Sequence, residues 1–161
     1  MKALVVDGYN AIHKIPYLRA MADRGDLLRA RAEITTLAVL YKRKRGGIDK
    51  ICVVFDGNDM YRNAAFKTPE NQSFSKTGKG DQKVIVTVAK FSEKYHVEVV
   101  SDDNYIINNS RAYKAAIVKV AKFIAFIDKK AQKHSKKYVE DKVMPRNISK
   151  INEELKKEWN L

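Results

Sequence analysis

The apolar residues of this chain fall into short unbroken runs and longer spaced series, and the two kinds alternate. Ala3–Val6 is a continuous apolar run rich in valine, the pattern of a strand buried on both faces. From about Asp26, Leu27, Ile34, Leu37 and Tyr41 recur at helical spacing. Lys42–Arg45 suits the C-terminal pole of that helix, and Gly46-Gly47 stops it. Ile51–Phe55 repeats the buried-strand pattern. Residues 57–80 are polar and irregular, with Pro69 and a loop-like Ser75–Gly80. A second helix is expected over Asp81–Tyr95, with Val84, Ile85, Val88 and Phe91 inward. Val97–Val100 is a third strand, interrupted by Glu98.

Beyond Asp103 the pattern blurs. Ala112–Val118 reads as a last strand, and Val120, Ile124, Ile127 and Ala131 continue at helical spacing. Asp128–Lys142 is lysine-rich, and Ser149 is placed to cap a final helix, Lys150–Trp159. Strands alternating with helices predict an α/β fold with a mostly parallel sheet and right-handed crossovers. At 161 residues one domain is expected. The division anticipated is a core over residues 1–127 and a lysine-rich helical extension over 128–161, packed on or trailing that core.

Charge narrows the class of partner. The chain carries 32 Lys and Arg against 19 Asp and Glu, a net charge of +13. Such a field attracts polyanions. RNA and a ribosomal surface are the candidates, ahead of acidic membrane, because no basic helix with aromatic anchors stands out. The apolar stretch Val118–Ile127 is broken by Lys119 and Lys122 and is too short to span a bilayer. No signal-peptide pattern is seen at the start, and the single cysteine, Cys52, has no partner for an internal disulfide. Both features lead to the expectation of a cytoplasmic protein.

Three strands end alike: Val6-Asp7, Phe55-Asp56 and Val100-Ser101-Asp102. The C-terminal ends of parallel strands share one edge, where ligands bind. Asp7, Asp56 and Asp102 are therefore expected to converge, with Asp103 next door and Asp81 opening the helix before the third strand. Carboxylates gathered in one cleft repel one another unless a cation sits among them. Oxygen ligands without a His or Cys cluster suit Mg2+ or Mn2+. Each aspartate also has a plain alternative: Asp-Gly turns at 7 and 56, an N-cap at 81, a solvated loop at 102–103. His13, His96 and His134 are scattered without metal-ligand spacing.

The strings Asp7-Gly8-Tyr9-Asn10, Val53–Gly57, Phe74-Ser75-Lys76 with Gly80-Asp81, and Val99–Asp102, in that order, resemble the NYN domain in its YacP-like branch. The resemblance covers roughly residues 2–127. It implies a PIN-like three-layer sandwich, a central mostly parallel sheet flanked by helices. It also implies a metal-dependent endoribonuclease acting on mRNA or rRNA, at the ribosome in some relatives. Carried over, Asp7, Asp81 and Asp102 look like the metal-binding carboxylates, with Asp56 a fourth and Asp103 replacing or assisting Asp102. Asn10 and Ser101 look like residues that orient a carboxylate or a phosphate.

Two departures stand out. Asp81 is followed by Gln82-Lys83 where the family often carries paired acids, so Lys83 either weakens metal binding or contacts the scissile phosphate. The lysine-rich tail after about Asp128 extends beyond the expected family core, and no role is assigned to it. Glu33 reads either as a helix-borne acid or as a surface ion pair beside Arg29 and Arg31. Lys76, Lys79, Arg43 and Arg45 are candidate phosphate contacts, the two arginines with helix termination as their alternative. The competing function is an RNA- or ribosome-binding module without catalysis. A P-loop nucleotide site is excluded, as no Gly-x-x-x-x-Gly-Lys-Ser/Thr string occurs, and Tyr9 breaks the Asp-x-Asp pair of a haloacid-dehalogenase phosphatase.

Overall fold

A computed structural model describes residues 1–57 and 70–127, all within the unit Met1–Ile127. The expected helix Lys150–Trp159 and the lysine-rich stretch Asp128–Lys142 lie outside the described residues. Five strands form one parallel sheet in the order β3-β2-β1-β4-β5. They are β1 (Lys2–Asp7), β2 (Ile48–Phe55), β3 (Gln72–Phe74), β4 (His96–Val100) and β5 (Ala116–Val118). Six helices flank them: α1 (Gly8–Lys14), α2 (Pro16–Asp23), α3 (Leu27–Arg45), α4 (Gly80–Ser92), α5 (Asn104–Ala112) and α6 (Val120–Ile127).

β1 lies at the centre, paired to β2 on one side and β4 on the other, which is why Ala3–Val6 is fully buried. Alternate side chains serve opposite faces. Ala3 and Val5 join Cys52, Val54, Val97 and Val99 in a core with Val84 and Val88 of α4 and Ile106 of α5. The other face is covered by α3 and α6, whose Tyr41 and Phe123 rings meet at 5.1 Å. Glu98 interrupts β4 without breaking it. Only 7% exposed, it accepts the Tyr41 hydroxyl at 2.9 Å and faces Arg45 at 3.4 Å. Paired in this way, a buried carboxylate avoids most of its desolvation penalty.

The segment around Pro16, read as a loop, is helical, and Pro16 opens α2, where a missing N–H leaves nothing unsatisfied. The last strand is only Ala116–Val118, because residues 104–112 form α5. The polar segment 57–80 contains β3, whose bond to β2 is made by the backbone.

Candidate active site

The chain runs from β1 outward to β3 and then returns to β4 on the other side of β1. Such a reversal of strand order opens a crevice at the carboxyl ends of the strands. Asp7, the last residue of β1, and Ser101, the first after β4, meet there. Ser101 is fully buried, and its hydroxyl donates to Asp7 Oδ2 at 3.0 Å while accepting the Asp103 N–H at 3.1 Å. Asn10, in α1, accepts the Asp102 N–H at 2.9 Å through Oδ1 and so fastens the β4–α5 loop to the start of the chain.

Burial pushes the Asp7 carboxyl from 3.8 up to about 6. The Ser101 hydroxyl and the Asn10 N–H work against that rise, while the charges of Asp81 and Asp103 add to it. Asp81, exposed in the first turn of α4, is also raised, by desolvation and then by Asp103 and Asp56. Asp7, Asp81, Asp103 and Asp56 thus share one field of negative charge although they come from four separate stretches of chain. Asp56 accepts the Ser75 hydroxyl at 3.1 Å and the Gly78 N–H at 3.2 Å. It also lies against the start of α4: a Cβ on Gly80 would stand 2.7 Å from Asp56 Cβ. Only glycine allows α4 to begin that close to β2.

Asp102 and Asp103 have divided their roles. Asp103 Oδ1 caps α5 by accepting the Ile106 N–H at 3.1 Å, and its charge still reaches Asp7 and Asp81. Asp102 Oδ1 is turned to the N-terminus of α6, accepting the Val120 N–H at 3.0 Å. The carboxylate acting on Asp7 and Asp81 is therefore Asp103. The signal that would have separated the two is the cap: Asp103 stands three residues before Ile106 at the start of a helix.

Among the cations, Lys76 and Lys79 are exposed in the β3–α4 connection on the same edge as the carboxylates. Lys83 is half-buried one turn into α4, and its charge acts on Cys52, whose thiol burial pushes up to about 11. Arg43 and Arg45 are not at this edge. They end α3, which leads into the start of β2, so they lie at the opposite edge of the parallel sheet and cannot grip a phosphate in the crevice. Burial, and after it the Glu33 carboxylate that accepts the Tyr17 phenol, raises the Tyr17 hydroxyl above its usual range.

Arg31 was expected on the surface and is instead 5% exposed. Its guanidinium bonds the Tyr9 hydroxyl, from Nε at 2.9 Å, and stacks over the rings of Tyr9, Phe55 and Phe74 at 5.5, 5.7 and 5.2 Å. It therefore braces Tyr9 between Asp7 and Asn10 in the chain. The readable sign was its place on the apolar face of α3, four residues after Leu27 and three before Ile34.

The donor set suits a hard divalent cation: several oxygens whose mutual repulsion a cation would relieve, and no His or thiolate. Among the described residues, no three His, Cys, Asp or Glu side chains are gathered tightly enough to hold an ion by themselves. Mg2+ does not require such a cage, since it keeps several waters and takes one or two carboxylates together with substrate phosphates. No described helix is long and apolar enough to cross a membrane.

The profile of the YacP-like NYN domain matches residues 4–160, extending past Ile127 through the lysine-rich tail. No curated protein matches the chain. Two solved structures share the fold. A tryptophan-to-leucine variant of Rae1 (YacP) from Bacillus subtilis is 20% identical, covers 96% of this chain and 86% of its own, and has a TM-score of 0.62. Unaltered Rae1 (YacP) from the same organism is 19% identical over 99% and 93%, with a TM-score of 0.57.

Proposed function

Because the chain belongs to the YacP-like NYN domain family, a family of PIN-like nucleases, we propose that it is a divalent-metal-dependent endoribonuclease. Its substrate would be RNA, with mRNA or rRNA at the ribosome as the expected setting. The observation that carries this reading is the crevice at the β1/β4 reversal of strand order, where Ser101 bonds Asp7 at 3.0 Å and Asn10 ties the loop of Asp102 and Asp103 to α1 at 2.9 Å.

In this proposal Asp7 and Asp81 hold Mg2+ or Mn2+, Asp103 supports them directly or through water, and Asp56 completes the acidic rim. The ion would polarise a phosphoryl oxygen and lower the pKa of a bound water. Ser101 fixes the Asp7 carboxylate by donating to Oδ2, and the Asn10 N–H bonds the same carboxylate. Asn10 holds the loop that carries Asp102 and Asp103 against β1. Asp102, by securing α6, serves as a positioning residue. Lys76 and Lys79, exposed in the β3–α4 connection, would meet phosphates flanking the scissile one, as point charges do in backbone recognition. Lys83 is assigned no contact with the scissile phosphate. The tail 128–161 is taken as a basic extension of the same domain.

One observation bears on the alternative of a non-catalytic RNA-binding module: among the described residues the carboxylates form no three-ligand cluster. Titration with Mn2+ in the presence of single-stranded RNA separates the readings. Cleavage that appears with the ion, disappears in EDTA and is lost in Asp7→Asn supports the nuclease. RNA binding without any metal-dependent cleavage supports the module.

A further inference from the structure

In an all-parallel sheet, strand-to-helix and helix-to-strand connections lie at opposite edges. The strand-to-helix edge holds the aspartates described above. At the helix-to-strand edge, α3 ends in Lys42–Arg45, α4 leads to β4 through Lys94 and Tyr95, and α5 leads to β5 through Tyr113 and Lys114.

Between the last two connections is a groove of about 330 Å³, lined by Lys94, Tyr95, His96, Tyr113, Lys114 and their neighbours. Tyr113 is 44% exposed, and Lys94 Nζ lies 5.8 Å from the centre of the Tyr95 ring. Glu93 is the acid of the groove. Cations at helix C-termini also complement the helix dipole, and this alone would account for a lysine at each end. It does not require an exposed tyrosine beside them. Lys114, at φ +58°, follows the α5 C-cap in the left-handed position that ends the helix, where the Ala115 N–H bonds the Ser110 carbonyl at 3.2 Å and its own N–H bonds the Arg111 carbonyl at 2.9 Å.

We infer that this groove is a second RNA-binding site, which stacks a base of a single strand on Tyr113 while Lys94 and Lys114 meet the adjoining phosphates. Aromatic faces with flanking cations are the general means of holding unpaired bases. The site lies across the sheet from the catalytic crevice, so it would anchor RNA without touching the reacting phosphate. It does not depend on cleavage.

The test is the affinity of a labelled single-stranded RNA oligonucleotide, measured by fluorescence anisotropy in EDTA across a salt series. Lys94→Ala combined with Lys114→Gly removes both charges while glycine keeps the left-handed backbone. This variant should bind roughly tenfold more weakly, with the log–log salt slope reduced by about 1.4, two single-strand phosphate contacts' worth. Tyr113→Ala should also lose about tenfold. Turnover at saturating RNA with Mn2+ should be unchanged in both. In the unmodified chain, amide NMR signals of residues 93–97 and 113–114 should shift when the same RNA is added in EDTA. Variants with unaltered affinity and salt slope would overturn the inference, as would amide shifts confined to the carboxylate edge. Since binding is read without divalent ions, its outcome is separate from that of the Asp7→Asn cleavage test.

Discussion

Asp7→Asn should make the metal-free protein more stable at neutral pH while removing its activity. In the folded state the Asp7 carboxyl titrates at about 6, against 3.8 as the ordinary value. The folded form therefore binds its proton more tightly than the unfolded form. Below about pH 3.8 both states are protonated and nothing is lost. Between 3.8 and 6 the unfolded state alone ionises, and stability falls; above 6 the full penalty is present. Two units at 1.36 kcal/mol each set that penalty at about 3 kcal/mol. Asparagine is neutral at every pH and nearly the same shape, so the variant escapes it, less what is lost in the bond to Ser101. For a chain of this size the gain is roughly 5–10 °C in Tm at pH 7.5. The assay is thermal unfolding in EDTA at pH 4, 5, 6 and 7.5. The variant should match the unaltered chain at pH 4 and separate from it progressively through pH 6. Adding Mn2+ should then raise the Tm of the unaltered chain and not that of the variant. A variant no more stable at pH 7.5, or a gap that does not grow between pH 4 and 6, would refute the reasoning.

Other expectations follow from the same geometry. Mn2+ affinity, measured by calorimetry, should decline as pH falls through the Asp7 range, because metal and proton compete for one carboxylate; Ser101→Ala, which removes a bond that lowers the Asp7 pKa, should move that decline to higher pH. Asp102→Ala should remove the cap on α6 and lower stability by about 1 kcal/mol in urea titration. Asp103→Ala, which also removes charge from the site, should in addition weaken Mn2+ binding. Gly80→Ala forces α4 away from Asp56 and should reduce kcat/KM at least tenfold while leaving the sheet intact by circular dichroism. Tyr9→Phe strands the Arg31 guanidinium without its hydroxyl partner and should lower stability by about 1–3 kcal/mol.

The parts of this fold that could be read from sequence are those long enough for periodicity to show. α3, with 19 residues, and the apolar runs of β1, β2 and β4 declare themselves. α1 and α2 have 7 and 8 residues and no room for a repeated stripe. β3 is three residues, two of them polar, and exists because its backbone completes the edge of β2. α5 is hidden by asparagines that ordinarily suggest loops, and only its cap betrays it. In the crevice, strand-end placement pointed to Asp7, Asp56 and the 102–103 pair. Which of two adjacent aspartates faces Asp7 is decided by which helix each one caps, a tertiary matter. Arg43 and Arg45 end α3 at the edge opposite the crevice, a position set by the crossover into β2 and by no local pattern of residues.

The bond from Ser101 to Asp7 joins residues 94 apart, and that from Asp102 to Asn10 spans 92. Contacts so remote close large loops, and neither can form before residues 101 and 102 have been made. A polypeptide still emerging from synthesis, with β1 and β2 already made, has Asp7 but neither the hydroxyl that steadies it nor the acids that share its charge. On the proposed function, cleavage would wait until the chain has passed its hundredth residue and β4 has docked beside β1, and an incomplete product of translation would not cut RNA.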